Sequence, residues 1–198
     1  MYVTPAVIAE AEARYGTPRE LRVSYEISAP ELAMIRGSQR DGRAHDVTTF
    51  VFNGERLAVI AKPSYPPGAY RVPGGALRRD EAMDAGALRE AHEETGLEAT
   101  AQRYLLRIHA RFTLGGDGVD WTTHVLSAVT PQTLIDPIDR REIREARWSA
   151  LAELNGPIRD TLLASGRPLF RYRSDLHLWA AEQLIGGAAS NHGMPSCS

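Results

Sequence analysis

Cysteine and long apolar segments are what this sequence most clearly lacks. Its single cysteine is Cys197, next to the last residue, which excludes an intrachain disulfide and favours a reducing compartment. No apolar run approaches the roughly 20 residues of a membrane-spanning helix, and the opening Met-Tyr-Val-Thr-Pro lacks the basic and apolar segments of a secretory signal. We therefore predict a soluble, cytoplasmic protein without a membrane partner.

The sequence also lacks a surplus of charge of one sign. Its 23 lysines and arginines nearly balance its 25 aspartates and glutamates, and the formal net charge is -2. Because binding of a nucleic-acid polymer needs clustered basic residues, we expect no such partner. Hydrophobic residues make up 43% of the 198 residues, which is enough for one domain with a real core.

The chain is predicted to divide into an extension, a main domain and a tail. The extension, residues 1–45, contains a helix from Pro5 to Tyr15 and a strand from Leu21 to Ser28, where apolar and polar residues alternate. It could add a strand to a sheet, cover the site as a lid, or form a dimer arm, and these alternatives stay open. Residues 46–185 are predicted to form the main domain with C-terminal helices. Residues 186–198 show no periodic pattern and are predicted to be a disordered tail.

Two hairpins are predicted in the main domain. The first joins the apolar runs 47–52 and 56–61 through an Asn-Gly pair, a strong hairpin signal. The second joins two strands through a glycine-rich turn over residues 114–119. If Leu114 faces Val119, then His109 faces His124 across the ladder. We interpret these histidines as packing residues, because no third ligand for zinc accompanies them.

A helix crowded with carboxylates is predicted over residues 81–95, with Gly96 as its stop. Glu90, Glu93 and Glu94 are spaced i, i+3 and i+4, so their side chains project from one face. Like charges at this spacing oppose folding, and the helix dipole prefers cations at this end. A hard cation such as Mg²⁺ or Mn²⁺ would compensate the repulsion. The alternative is a solvated acidic face with ordinary surface ion pairs.

The motif around this helix is longer, and its fixed positions are more specific, than those of an isolated acidic cluster. It reads Gly75, five residues, Glu81, seven residues, Arg89-Glu90, an aliphatic and any residue, Glu93-Glu94, any residue, Gly96 and an aliphatic residue. This pattern resembles the box of the Nudix hydrolases, with Ala91 smaller than the usual aliphatic residue. The resemblance implies an α/β fold, specifically a three-layer α/β/α sandwich around a mixed β-sheet.

The resemblance also implies roles for residues of the box. The implied site residues are the metal ligands Glu90, Glu93, Glu94 and Gly74, the catalytic residues Glu90, Arg89 and Glu93, and the substrate-contacting Gly75. Glu90 would act as a third ligand or as the base, and Arg89 would orient it. Gly74 would offer its backbone carbonyl to the metal, and Glu81 would hold the loop or bind an outer metal.

Further candidates lie in the loops that flank the box. The loop 62–70 leads into the box, so Tyr70 and Arg71 are candidates for base stacking or phosphate contact, with packing as the alternative. In many family members a glutamate of the late loop supplies a metal ligand or the general base. Glu142 and Glu145 occupy that loop here, and Glu142 is the catalytic candidate. The alternative for both is an exposed loop charge.

The predicted function is hydrolysis of a phosphoanhydride bond that depends on Mg²⁺, with Mn²⁺ as a substitute. The substrate would be a small nucleotide, namely a nucleoside diphosphate linked to another group, of the ADP-ribose, sugar nucleotide, dinucleotide or nucleoside triphosphate type. The resemblance also implies a homodimer, which the extension would suit. The alternative function is a ligand-sensing or regulatory domain without turnover. The intact box, and the lack of a basic DNA-reading helix after Trp148, favour the enzyme.

Overall fold

One mixed sheet organises the chain in a computed structural model, which describes residues 3–39 and 42–190, with side chains through residue 186. The strands are β1 (Arg19–Glu26), β2 (His45–Asn53), β3 (Arg56–Ala61), β4 (Gly74–Ala76), β5 (Thr100–Leu114), β6 (Asp117–Val129) and β7 (Glu145–Ala150). The helices are α1 (Pro5–Tyr15), α2 (Ala29–Ser38), α3 (Met83–Thr95), α4 (Leu151–Glu153), α5 (Arg159–Ala164) and α6 (Pro168–Ser190), with a wider helical turn at Leu154–Ile158 between α4 and α5.

The sheet has the order β1-β5-β6-β2-β3-β7, and the short β4 pairs with β2 beside this path. The pairs β1–β5 and β2–β6 are parallel, and the other pairs are antiparallel. Apolar residues of α2, α5 and α6 pack on one face, whereas residues of α1 and α3 pack on the other. The predicted three-layer α/β/α sandwich around a mixed sheet is therefore confirmed.

Strand β2 runs through the middle of the sheet and alternates between its two faces. Val47 belongs to the apolar cluster that includes α1 and α3, and Thr49 donates its hydroxyl to the Ala87 carbonyl of α3 at 3.3 Å. Phe50 lies on the opposite face, in edge contact with the ring of His177 on α6. By the same alternation, Asp46 lies on the α6 face of the sheet.

The N-terminal extension completes both faces of this sheet. The helix from Pro5 to Tyr15 is confirmed, and β1 adds an edge strand parallel to β5, which is one of the three alternatives left open above. Helix α2 is tied to α6 through Glu31, whose side chain is buried. The Glu31 carboxylate accepts hydrogen bonds from the backbone N–H groups of Ser28 and Leu169, so one side chain caps α2 and holds the start of α6.

The register predicted for the second hairpin is wrong. Leu114 lies opposite Asp117, because the turn consists only of Gly115 and Gly116 instead of six residues. His109 consequently pairs with Thr122, and the ring of His124 meets His45 of β2 at 3.0 Å between ring nitrogens. Burial lowers the pKa of His124 to about 3, so this histidine is neutral.

The predicted ends of two helical segments also differ from the structure. The box helix begins at Met83 rather than at residue 81, because Asp80 has a positive φ of 61° and Glu81 folds back to bond the backbone N–H of Arg78. Helix α6 continues to Ser190, so the segment predicted as a tail overlaps this helix through residue 190. Residues 191–198 of that predicted tail lie outside the described residues.

In the part of the chain that the structure describes, none of the helices combines the length and the apolar character that crossing a membrane would require.

Replacing Gly96 by alanine is expected to lower the free energy of unfolding by more than about 1 kcal/mol. Gly96 ends α3 with a φ of 74°, and an added Cβ would lie 2.2 Å from the Asp136 carbonyl oxygen. The matched control is Gly37→Ala, because Gly37 lies in α2 with open space around its Cα and alanine suits a helix better. Urea denaturation of both variants measures the difference, and equal stability of the two variants would contradict the explanation.

Candidate active site

Two glycines bring the backbone unusually close to its neighbours where β4 enters the box. A Cβ on Gly74 would lie 2.3 Å from the Val47 carbonyl oxygen, and a Cβ on Gly75 would lie 2.1 Å from Oε2 of Glu90. Neither position can hold a larger residue without a shift of its surroundings. The Gly75 backbone therefore lies directly against the carboxylate of Glu90 on α3.

Arg89 is the centre of the hydrogen-bond network on α3. Its guanidinium donates to both carboxylate oxygens of Glu81 at 2.8 and 2.9 Å, and to the Ala76 carbonyl at 2.8 Å. It also donates to Glu90 at 2.8 Å and to Glu93 at 3.2 Å. The hydrogen bonds from Arg89 lower the pKa of the Glu81 carboxyl, so Glu81 is ionised and fixes this arginine. Arg89 in turn fixes the orientation of Glu90.

Glu94 and Arg71 form a buried ion pair at the other end of the carboxylate cluster. Their exposed fractions are 4% and 3%, and Nη2 of Arg71 donates to Glu94 at 2.7 Å. The second oxygen of Glu94 accepts the backbone N–H of Gly74 at 2.8 Å. Arg71 also donates to the carbonyls of Val72 and Gly74, both at 3.0 Å. Arg71, a predicted substrate contact, thus connects the box loop to α3 in this structure.

The side chains of Glu90 and Glu93 are 15% and 38% exposed, against 5% for Glu94. Oε1 of Glu90 accepts a hydrogen bond from Arg89, and Oε2 lies against the backbone of Gly75. Burial raises the pKa of the Glu90 carboxyl, and the nearby charges of Glu94 and Glu93 add to this effect against the opposing charge of Arg89. Glu93 is more exposed and forms a second ion pair with Arg78 at 3.2 Å.

A divalent cation fits the chemistry of these groups. Within residues 3–39 and 42–190, no three His, Cys, Asp or Glu side chains are arranged as a preformed metal site. The group beside Gly75 is nevertheless a carboxylate, whose oxygens Mg²⁺ and Mn²⁺ prefer, and a cation would compensate the burial that raises the pKa of Glu90. Glu94 and the carbonyl of Gly74, the other predicted ligands, both accept hydrogen bonds from Arg71. Glu90 and Glu93 likewise accept hydrogen bonds from arginines, so each of the four predicted ligands has an arginine partner in this structure.

The flanking candidates occupy different environments. The Glu142 side chain is 61% exposed and bonds Nζ of Lys62 at 2.7 Å, and the same ammonium lies 3.7 Å from Glu94. Lys62 therefore connects the late loop to the box. The Tyr70 ring is buried, and the guanidinium of Arg147 lies 4.4 Å from the ring centroid, so Tyr70 packs inside the protein. Burial, followed by a hydrogen bond to Glu145, raises the pKa of the Tyr70 hydroxyl.

A cleft of about 310 Å³ begins at the two box glycines and runs along the α6 face of the sheet. Residues of α2, α6 and strands β2, β5 and β6 line it. Their polar members are Ser38, Arg43, Asp46, Lys62, Ser64, Arg71, Arg167 and Arg173, and their aromatic members are Tyr65, Phe112, Trp121, Phe170 and Tyr172. Sequence reasoning missed most of these residues. The alternation of β6 puts Trp121 and Thr123 on one face, but no sequence pattern indicates which helices cover that face.

A family model described as the NUDIX domain matches residues 42–172. The chain belongs to the Nudix family. The match begins just before β2 and ends within α6, so it contains the whole box and most of the cleft. Helix α1, strand β1 and helix α2 precede it.

Among curated proteins, the chain is similar to "Putative 8-oxo-dGTP diphosphatase 3" of Mycobacterium tuberculosis, with 32% identity over 91 residues. That match covers 46% of this chain and 42% of the relative, so it spans less than half of the relative's length. Among solved structures, a UDP-X diphosphatase matches with a TM-score of 0.50 and 15% identity over 78% of this chain and 71% of that chain. A NUDIX hydrolase from Nitrosomonas europaea matches with a TM-score of 0.50 and 18% identity over 78% and 76%. These two structures support the Nudix fold.

Arg71→Ala is expected to lower the free energy of unfolding by about 3–5 kcal/mol, because it leaves the buried carboxylate of Glu94 without its partner. Arg78→Ala is the matched control, since it breaks an exposed ion pair with Glu93 and should change stability by less than about 1 kcal/mol. Chemical denaturation followed by circular dichroism measures both. A similar small loss in the two variants would show that the buried pair has no special role.

Proposed function

We propose that this Nudix protein hydrolyses a phosphoanhydride bond in a small nucleotide, with Mg²⁺ bound at the box and Mn²⁺ able to replace it. The observation that carries the proposal is the position of the Glu90 carboxylate against Gly75, one of the two box glycines that line a cleft together with aromatic and basic side chains. Such a cleft suits a ligand that has phosphates at one end and a flat ring at the other.

In this proposal, each residue around the box has its own role in phosphate hydrolysis. When bound, the metal would neutralise phosphate oxygens and lower the pKa of a water molecule. Glu90 and Glu93 would hold it, and Arg89 keeps Glu90 in place through the 2.8 Å hydrogen bond. The absence of a side chain on Gly75 lets the Glu90 carboxylate lie against the backbone of the box loop. Lys62, which lines the cleft, would place a positive charge beside the phosphate chain.

The general base has two candidates in this proposal. Glu90 has a pKa raised by burial and lies at the box, which suits a group that must accept a proton from water. Glu142 lies across Lys62 from the box and is held by that ammonium at 2.7 Å. Glu90 is preferred because it lies at the box against Gly75, whereas Glu142 is an exposed side chain of the late loop.

The class of substrate is proposed as a nucleoside diphosphate linked to another group. The proteins compared above are named "Putative 8-oxo-dGTP diphosphatase 3" and "UDP-X diphosphatase", and these names agree with a nucleotide carrying at least two phosphates. ADP-ribose, sugar nucleotides, dinucleotides and nucleoside triphosphates all meet this description. A homodimer and a cytoplasmic location remain predictions alongside the activity. The alternative function, a sensor without turnover, would bind such nucleotides and release no product.

The purified chain is expected to hydrolyse at least one compound of a panel of nucleoside triphosphates, ADP-ribose, NADH, sugar nucleotides and dinucleoside polyphosphates, with Mg²⁺ or Mn²⁺. The Glu90→Gln and Glu93→Gln variants should each lose at least about 100-fold in kcat/KM, since each removes a charged metal ligand. Chromatographic detection of the mononucleotide product measures the rate.

The matched control is Glu98→Gln, because Glu98 lies just beyond α3 and its exposed side chain pairs only with His92 among the described residues. This variant should keep the wild-type rate. Binding of a panel compound without any turnover, with either metal and at mildly alkaline pH, would favour the sensor instead. Wild-type turnover in Glu90→Gln and Glu93→Gln would show that the metal is held elsewhere.

A further inference from the structure

Strand β1 has an outer edge that faces away from the sheet. It stands last in the strand order, and among the described residues only β5 pairs with it. The Ile27 N–H donates to the Thr113 carbonyl of β5 at 2.8 Å, and the Tyr25 carbonyl accepts a hydrogen bond from the Thr113 hydroxyl at 3.4 Å. Because the backbone groups of a strand alternate in direction, Ser24 and Glu26 direct their N–H and C=O groups away from β5. This edge can therefore pair with a further strand.

A groove of about 910 Å³ runs along the outer edge of β1. One wall consists of residues 23–26 of β1, and the other consists of α5, the start of α6 and the turn between these helices. Paired strands lie about 4.8 Å apart, so a chain added to β1 would run through this groove.

Arginines dominate the helix wall of the groove. Arg159, Arg167 and Arg171 line it together with one carboxylate of α6, Asp175. Asp175 already accepts a hydrogen bond from the Tyr25 hydroxyl at 2.8 Å and lies 3.5 Å from Arg159. Arg167 donates to a backbone carbonyl at 3.5 Å, and Arg171 is exposed. The helix wall therefore carries more positive than negative charge.

The alternation of β1 determines which of its side chains face this wall. Val23 and Tyr25 pack on the apolar cluster that includes α5 and α6. Glu20 lies on the opposite face, where it pairs with Arg107, a partner of α1. Glu26 shares the face of Glu20, because an even number of positions separates them. The carboxylate of Glu26 therefore points away from the arginines of the helix wall.

We propose that this groove binds an extended acidic peptide of another protein, which adds a strand to the outer edge of β1. Backbone hydrogen bonds to Ser24 and Glu26 hold the peptide, as in other cases of strand addition. Its side chains alternate between the two faces, so a glutamate or aspartate at every second position meets the arginines. A second copy of this chain fits less well, because two copies paired through β1 bring their arginines together on one face. This inference is independent of the proposed reaction.

Fluorescence anisotropy of the full chain with a labelled peptide of alternating threonine and glutamate tests the charge preference. The control peptide alternates threonine and lysine. We expect the glutamate peptide to bind at least about tenfold more tightly, and its affinity to fall with added salt, because the arginines attract one peptide and repel the other.

Arg171→Glu should lower the affinity for the glutamate peptide by at least about tenfold, because it places a negative charge on the helix wall. Arg141→Glu is the matched control, since Arg141 is an exposed arginine that does not line the groove. This control variant should bind the glutamate peptide with wild-type affinity. Circular dichroism establishes whether both variants fold.

Peptides with methylated backbone nitrogens test the strand pairing itself. In a strand that pairs along one edge, every second N–H group faces the partner strand. Methylation of either the threonine or the glutamate nitrogens should therefore abolish binding, whereas methylation of the other set should change the affinity by less than about threefold.

Equal binding of the glutamate and lysine peptides would overturn the proposal, as would unchanged affinity in a folded Arg171→Glu variant. The same holds if both methylated peptides behave alike, or if the glutamate peptide does not bind at millimolar concentration. If Arg171→Glu does not fold, the comparison of the peptides on the wild-type chain decides. A dimer in sedimentation velocity that Ser24→Pro dissociates would show that a second copy occupies this edge, and it would also overturn the proposal. Proline removes an outward N–H at this position and is tolerated in edge strands.

Discussion

The buried pair of Arg71 and Glu94 is the constraint on which the rest of the site depends. Taking two charges out of water is costly, and here the cost is offset by a direct 2.7 Å hydrogen bond and by further bonds to the backbone at Val72 and Gly74. Because these bonds join the loop before the box to the helix of the box, the position of Gly74 is fixed relative to α3. The carboxylate of Glu90 therefore meets the glycine loop at a defined place.

The cleft depends on segments at both ends of the chain. Helix α2 precedes the region matched by the family model and forms one wall, and α6 forms another. Glu31 connects them by accepting hydrogen bonds from the starts of both helices. A further bond between α2 and the β5–β6 hairpin, from the Gln39 side chain to the Asp120 carbonyl, holds the end of α2 against the sheet. The extension is thus a structural part of the cleft that begins at the box.

Short sequence patterns correctly predicted the elements whose geometry depends mainly on residues close together in the chain. The Asn-Gly hairpin, helix α1 with its Thr4 cap, and the box helix ending at Gly96 follow from short-range geometry that a sequence displays directly. The fold and the box carboxylates came from a resemblance to a family. What could not be predicted depends on long-range packing. The register of β5 and β6 was wrong because a two-glycine turn was taken for a longer loop, and Asp46 was missed because nothing in its neighbourhood of the sequence indicates which helices cover it.

The parallel pairing of β1 with β5 has a consequence for how the chain acquires its structure. Residues 19–26 pair with residues 106–113, so the first strand leaves the ribosome long before its partner exists. Contacts between residues so distant in sequence form slowly, because a large loop must close before they contribute any stability. We therefore expect the edge strand to join late, after the central strands have assembled, and a nascent chain to expose an unpaired strand during that interval.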